Sequence, residues 1–163
     1  MRIMGIDPGS QCTGFGIVEE KAGKLVSIYW GAIRSKTKQS FPERLKIIYQ
    51  ALIEVIQEFS PDEVAVEDLF FASNAKSALK LGQTRGVAIL AAANMNKPVA
   101  EYSPLEVKLS VVGYGRADKI QVQSMVARLL NLKDLPKPFD ACDALAIAIC
   151  HTHSAATHRK LKN

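Results

Sequence analysis

Three strand-like segments near the start of the chain, joined by short connections, most constrain its fold. They are the apolar runs Ile3–Asp7, Thr13–Glu19 and Leu25–Ile33. Strands joined by so few residues pair as antiparallel neighbours, because a parallel pair needs a crossover of about a dozen residues or more. The chain therefore begins with a predicted antiparallel meander.

The apolar spacing changes after the meander and predicts alternating helices and strands. Apolar residues recur at helical spacing over 42–59, with Pro42 in the first turn and Ser60-Pro61 ending the helix. Ser103, Pro104 and Glu106 form a capping-box pattern. The other predicted elements are strands 64–67 and 99–102 and helices 73–94, 118–130 and 140–153. This order predicts a mixed α/β sheet in which a meander leads into two crossover units.

Composition is that of an ordinary globular domain. Of the 163 residues, 48% are apolar and 23% charged, which predicts one domain over 1–153 and a basic, flexible tail over 154–163. No apolar run is long enough to span a membrane. Asp7 lies where the apolar centre of a signal peptide would be. Cys12, Cys142 and Cys150 lack disulfide or zinc-ribbon spacing, so we expect free thiols and a cytoplasmic protein.

The net charge of +5 and the pI of about 9.2 permit a polyanionic partner. Many basic proteins bind no nucleic acid, so the charge alone does not identify one.

Four acidic residues occupy positions that burial would make costly. Asp7 and Glu67 each end an apolar strand, and Asp140 and Asp143 share one face of the apolar segment FDACDALAIAIC. If the strand ending at Glu67 lies parallel to and beside the first strand, both acids emerge at one sheet edge. Uncompensated carboxylates in such surroundings are unfavourable.

Each acid also has a purely structural interpretation. Asp140 could cap its helix, Asp7 could form a turn with Pro8-Gly9, and Glu67 beside Asp68 could be a solvated strand end. Taken together, these structural interpretations are less favoured, because three segments far apart in the sequence each place an acid at a strand end or at the start of an apolar helix. Hard carboxylate oxygens favour Mg²⁺, and two such ions about 3.5–4 Å apart can hydrolyse a phosphodiester. We therefore predict a site for two Mg²⁺ ions, with Mn²⁺ as an alternative.

Four segments together resemble the RuvC family of bacterial Holliday-junction resolvases. They read GIDPGSQCTGFG, VAVEDLFFASNAKSALKLGQTRGVAI, VKLSVVGYGRADKIQVQ and DACDALAIAICHTH, in collinear order from Arg2 to about His153. The resemblance implies a ribonuclease H-like fold with a five-stranded mixed sheet in the order 3-2-1-4-5, flanked by helices. It also implies a homodimer that nicks two opposed strands of four-way junction DNA with Mg²⁺, leaves 5′-phosphate ends, and works with RuvA and RuvB.

The resemblance assigns roles to individual residues. Asp7, Glu67, Asp140 and Asp143 match the catalytic metal-binding carboxylates of the family. Lys108 and Lys119 match lysines involved in catalysis and DNA contact, although a solvated helix lysine is the commoner case.

Further residues are expected to contact DNA or a second subunit. Phe70 matches an aromatic that stacks on junction bases, and the alternative is a core position. Lys76, Lys80 and Arg85 could bind phosphates or simply form a solvated helix face. A stripe of small residues on the same helix could pack on its own sheet or on a partner helix; it comprises Ala78, Gly82, Gly86, Ile89 and Ala93.

Three other functions share some of these features. An actin/hexokinase-type ATPase would share the opening loop, but such folds use two lobes and this chain is too short for both. A non-catalytic junction-binding module would keep the basic face and Phe70 but would not need the acids. A ribonuclease H acting on RNA–DNA hybrids would share the metal site, but the context of GIDPG and Phe70-Phe71 fits the resolvases better.

Overall fold

One mixed sheet with helices on both faces forms the framework of the chain. A computed structural model describes residues 1–36, 38–68 and 74–161. The strands are β1 (Arg2–Asp7), β2 (Cys12–Lys21), β3 (Lys24–Arg34), β4 (Glu63–Glu67) and β5 (Val99–Tyr102). The helices are α1 (Phe41–Phe59), α2 (Ala75–Asn94), α3 (Pro104–Val112), α4 (Lys119–Leu129) and α5 (Phe139–Leu161).

The strand order is β3-β2-β1-β4-β5, as predicted. β1, β2 and β3 form an antiparallel meander, and β4 and β5 are added in parallel to β1. The ribonuclease H-like fold and the parallel pairing of the first and fourth strands are therefore confirmed.

Alternate strand residues separate two hydrophobic layers. Ile3, Val18 and Ala65 face the layer formed with α3, α4 and α5. Met4 and Val66 belong to the opposite layer, which includes residues of α1 and α2. Because side chains alternate along a strand, Asp7 and Glu67 lie on the same face as Ile3 and Ala65, toward α5.

Local capping interactions explain where the helices begin. Ser40 and Glu43 form a capping box at α1, and the predicted box of Ser103 and Glu106 is present at α3. Asn74 caps α2 by accepting a hydrogen bond from the Ser77 amide at 2.9 Å. Such caps satisfy amides that have no partner within the helix.

α5 is longer than predicted. Its predicted end near His153 is wrong, since the helix continues to Leu161. The segment 154–161 contains neither proline nor glycine, and the Thr157 hydroxyl donates to the His153 carbonyl at 3.0 Å within the helix. The division of the chain at residue 153 stays a prediction.

A buried polar chain ties α5 to β4 and β5. His151 Nε2 lies 2.7 Å from Glu63 Oε2, and His151 Nδ1 lies 2.8 Å from the Tyr102 hydroxyl. These contacts give the buried imidazole a structural role at the end of α5 that is remote from Asp140. Across the described ranges, no helix combines the length and apolarity required to cross a bilayer.

Candidate active site

The sheet brings the acids of β1 and β4 together. Ile6 pairs with Val66 in the parallel ladder, so the following residues, Asp7 and Glu67, leave adjacent strands side by side. Pro8 and Gly9 then turn the chain away from the sheet. The two carboxylates consequently share one edge, as the sequence predicts.

Close packing of α5 on the sheet adds the other two acids. Gly14 pairs with Asp7 in the sheet, and a Cβ at Gly14 would lie 1.9 Å from the Asp140 carbonyl oxygen. Only a residue without a side chain allows the helix to approach this closely. Asp140 therefore lies over the strand pair that carries Asp7, and Asp143 follows three residues later. Asp140 lies within the first turn of α5, and the helix already begins at Phe139.

These side chains border a cleft of about 310 Å³ between the sheet edge and helices α3, α4 and α5. Three acids and two lysines share it with an apolar wall, and Asp140 lies beside it. The lining residues are Asp7, Glu67, Pro104, Val107, Lys108, Lys119, Val122, Asp143 and Ala146. Five of the six residues predicted to be catalytic therefore line the same cleft, although they are far apart in the sequence.

Burial and mutual repulsion make the acids hard to ionise together. Burial, followed by the charges of Glu67, Asp143 and Asp140, raises the pKa of Asp7 to about 8. Burial and Asp143 raise the pKa of Glu67 to about 7, and burial also raises the pKa of Asp143. Lys119 opposes all three shifts by favouring the ionised forms. Ionising all four acids would therefore leave more negative charge than the two lysines of the cleft balance.

The donor set suits a divalent cation. Carboxylate oxygens are hard ligands, and a cation would offset both the cost of burying the ionised acids and their mutual repulsion. Within residues 1–36, 38–68 and 74–161, however, no three His, Cys, Asp or Glu side chains stand in position to hold one ion. The acids converge on the cleft, and their side chains would have to turn toward a shared ion to coordinate it.

Two neighbouring side chains were not anticipated from the sequence. Burial, followed by the neighbouring Asp140 carboxylate, raises the pKa of the Cys12 thiol to about 11. Lys119 Nζ lies 5.9 Å from the centroid of the Phe139 ring, within cation–π range. In the sequence, Phe139 could have been identified as a site residue by its position directly before Asp140. No feature of the sequence around Cys12 indicated that it lies near the site.

The residues predicted to bind DNA have different surroundings. Lys76 and Lys80 are exposed on the first turns of α2. Arg85 instead donates from Nε to the Glu67 carbonyl at 3.1 Å and pairs with Asp68 and Glu101. Its guanidinium therefore joins α2 to the ends of β4 and β5. Phe70 lies outside the described residues.

Comparison with known proteins gives a consistent result. The family model described as crossover junction endodeoxyribonuclease RuvC matches residues 3–151. A relative of that name from Koribacter versatilis is 56% identical over 158 residues, covering 96% of this chain and 95% of the relative. One from Alkaliphilus oremlandii is 53% identical over 154 residues, covering 94% of each chain.

A solved structure agrees in fold over almost the whole chain. T. thermophilus RuvC in complex with Holliday junction substrate superposes with a TM-score of 0.91 at 36% identity, covering 97% of this chain and 96% of that one. The yeast mitochondrial resolvase Ydc2, at 14% identity and a TM-score of 0.64, shares the fold. On the family match and these full-length identities, the chain belongs to the crossover junction endodeoxyribonuclease RuvC family.

Proposed function

We propose that this protein is a Holliday-junction endonuclease that nicks two opposed strands of a four-way DNA junction in recombination and repair. The observation that carries the proposal is the convergence of Asp7, Glu67 and Asp143 with Lys108 and Lys119 on one cleft, in a chain of the RuvC family. A non-catalytic junction-binding module would gain nothing from such a costly group of acids.

Asp7, Glu67, Asp140 and Asp143 are the proposed metal ligands, for two Mg²⁺ ions with Mn²⁺ as an alternative. Divalent cations at such a site supply charge that activates a water and stabilises the leaving oxygen. The raised pKa values of Asp7 and Glu67 are consistent with the assignment: burial contributes most to both shifts and neighbouring acids add to them, and a bound cation would favour the ionised forms. The carboxylates hold the reaction centre at the sheet edge, with 5′-phosphate and 3′-hydroxyl ends as products.

Lys108 and Lys119 are proposed to bind the phosphate that is cleaved. Both line the same cleft as the acids. An ammonium group there offsets charge on the phosphate oxygens as it builds up during hydrolysis. Phe139, beneath Lys119, limits where that ammonium group can lie.

A homodimer with an interface on α2 is the proposed active form. Ala78, Gly82, Gly86 and Ala93 are exposed, and nothing lies within 4 Å of a Cβ added at Gly82 or Gly86. Leu79 and Leu90 on the same helix are 69% and 51% exposed. A small-residue surface bordered by leucines allows close helix approach. Two cleavage sites related by a two-fold axis suit the symmetry of an opened junction.

Several finer assignments rest on the family alone. Stacking of Phe70 on a junction base, cooperation with RuvA and RuvB, and action in the cytoplasm are proposed on that basis. Lys76 and Lys80 are proposed phosphate contacts, since both are exposed. For Arg85 we favour a positioning role, because its Nε holds the Glu67 carbonyl.

Cleavage of a synthetic mobile four-way junction tests the function. The wild type, Asp7→Asn and the matched control Glu58→Gln are compared in Mg²⁺ and in EDTA. Glu58 is exposed near the end of α1. We expect paired symmetric nicks that require Mg²⁺, survive in Glu58→Gln and fall more than about 100-fold in Asp7→Asn, with junction binding kept.

Two results would contradict the proposal. Tight junction binding without nicks in any divalent metal would indicate a binding module. Cleavage of RNA–DNA hybrids in place of junctions would indicate a ribonuclease H.

A further inference from the structure

A second cleft lies on the opposite face of the sheet from the acids. It has a volume of about 550 Å³ and is formed by the β1–β2 connection, the start of α1 and the start of α2. Its lining residues are Ser10, Gln11, Gln39, Phe41, Arg44, Ser77, Lys80 and Leu81. We call it the α1–α2 cleft.

The chemistry of the α1–α2 cleft suits an anion with several oxygen atoms. Among its described lining residues are two cations, two hydroxyls and two amide side chains, and no carboxylate. Arg44 Nε donates to the Gln39 carbonyl at 3.1 Å, which holds the guanidinium at the wall. Lys80 Nζ lies 5.7 Å from the centroid of the Phe41 ring. Cations held at fixed places beside hydroxyl and amide donors match a phosphodiester.

The acid next to Arg44 in the chain and the starts of α1 and α2 are occupied by capping interactions. The Glu43 carboxylate accepts from the Ser40 amide at 2.7 Å and from its hydroxyl at 2.8 Å, so it is engaged in the cap of α1. At α2 the Asn74 side-chain oxygen accepts from the Ser77 amide at 2.9 Å and caps that helix. The positive character of the α1–α2 cleft therefore comes from Arg44 and Lys80.

The two clefts meet at the same sheet edge. Ser10 follows Asp7 through Pro8-Gly9, so this short turn separates the acids from the α1–α2 cleft. A nucleic acid that crosses this turn would pass from the acids to the α1–α2 cleft. Ser77 and Lys80 also lie off the exposed Gly82–Gly86 stripe of α2, which leaves that stripe available to a second subunit.

We propose that the α1–α2 cleft is a second phosphate subsite, which binds a backbone phosphate of the junction away from the bond that is cleaved. The inference rests on the proposed function, since it takes junction DNA as the ligand. A phosphate bound here, on the far side of the Pro8-Gly9 turn from the acids, sets the register of the DNA over the sheet edge. Contacts of this kind position the substrate without reading sequence.

Binding measurements on charge-neutral variants test the subsite. Lys80→Gln, Arg44→Gln and their combination are compared with Lys24→Gln, an exposed lysine at the opposite sheet edge. Junction affinity is measured in EDTA over a series of salt concentrations, with circular dichroism to verify folding. We expect Lys80→Gln and Arg44→Gln each to weaken binding about tenfold and to reduce the salt slope by about 1. KM should rise more than kcat falls, and Lys24→Gln should match the wild type.

A neutral backbone substitution locates the phosphate. Single methylphosphonates are placed along each strand of the junction, and one position should weaken wild-type binding but leave Lys80→Gln almost unaffected. Such non-additivity identifies two groups in contact.

The possible results distinguish failure of the phosphate-subsite proposal from failure of the proposed function. A wild type that cuts junctions, with Lys80→Gln and Arg44→Gln indistinguishable from Lys24→Gln, would overturn the subsite alone. Weakened binding that no methylphosphonate position masks would also overturn it and would point to a ligand other than the DNA backbone. A wild type that neither binds nor cuts junctions would overturn the proposed function and the subsite with it.

Discussion

Gly14 of β2 lies directly against the Asp140 carbonyl of α5, with 1.9 Å between that oxygen and the position a Cβ would take. Gly14 is also the sheet partner of Asp7. This contact, with those that Gly5 and Gly16 make against α5 further along the helix, sets how near the first acid of α5 comes to the acid of β1.

Gly14→Ala should separate these two acids. The added methyl group collides with helix backbone, which cannot rotate away as a side chain can, so α5 must shift. We expect a loss of about 1–3 kcal/mol in the free energy of unfolding and a large loss of junction cleavage. Urea denaturation and a cleavage assay measure the two effects. Glu58→Gln, exposed near the end of α1, is the control for stability. Full cleavage by Gly14→Ala would contradict the proposed packing constraint.

Asp7→Asn should stabilise the metal-free protein as it abolishes cleavage. Burial and neighbouring acids raise the pKa of Asp7 from 3.8 to about 8, so the folded state binds a proton that the unfolded state releases. The contribution of the Asp7 carboxyl to the free energy of unfolding of the wild type is therefore greatest at low pH and is lost as the pH rises toward 8.

Melting temperatures in EDTA at pH 5 and pH 8.5 measure this effect. The gain from Asp7→Asn should be at least about 2 °C larger at the higher pH. Glu58→Gln should show no such difference. An equal gain at both values of pH would contradict the raised pKa.

Gly86→Glu should disrupt the proposed dimer. The position is exposed on α2 in an apolar, small-residue surface, and a buried, unpaired charge there would oppose association. We expect a shift from dimer to monomer in sedimentation velocity and a loss of paired nicks. Gln57→Glu, on exposed α1, carries the same charge change and should stay dimeric. A dimeric Gly86→Glu protein would place the interface elsewhere.

Arg85→Gln should impair cleavage more than DNA binding. Arg85 Nε supports the Glu67 carbonyl, and its guanidinium pairs with Asp68 and Glu101. Removing it loosens the strand end that carries Glu67 and leaves two acids without their partner. We expect kcat to fall about 10- to 100-fold with junction affinity in EDTA within about threefold of the wild type, because the guanidinium is already engaged by protein groups.

Lys76→Gln is the comparison for Arg85→Gln, because Lys76 is an exposed phosphate candidate. It should weaken binding instead of chemistry. If Arg85→Gln instead weakened junction binding and left kcat unchanged, Arg85 would contact DNA directly, as the sequence predicts.

Local sequence patterns were enough to predict most of the helices and strands. The short apolar runs of β1 and β2, the helical spacing in α1 and the capping box at Ser103 depend on neighbours in sequence. The polar composition of 154–161 predicts fraying, which is wrong to Leu161: the segment contains no proline or glycine and extends a helix that is already formed over the preceding turns.

The sequence by itself determined the chemistry of the site: which four acids and two lysines are available, and that acids end two apolar strands and begin an apolar helix. Those properties follow from residue type and periodicity. The tertiary structure alone decided that Arg85 supports Glu67, that Gly14 admits α5, and that Ser10, Arg44 and Lys80 border one cleft. These relationships join residues far apart in the chain, and they depend on strand register and on helix packing distance, which no local pattern encodes.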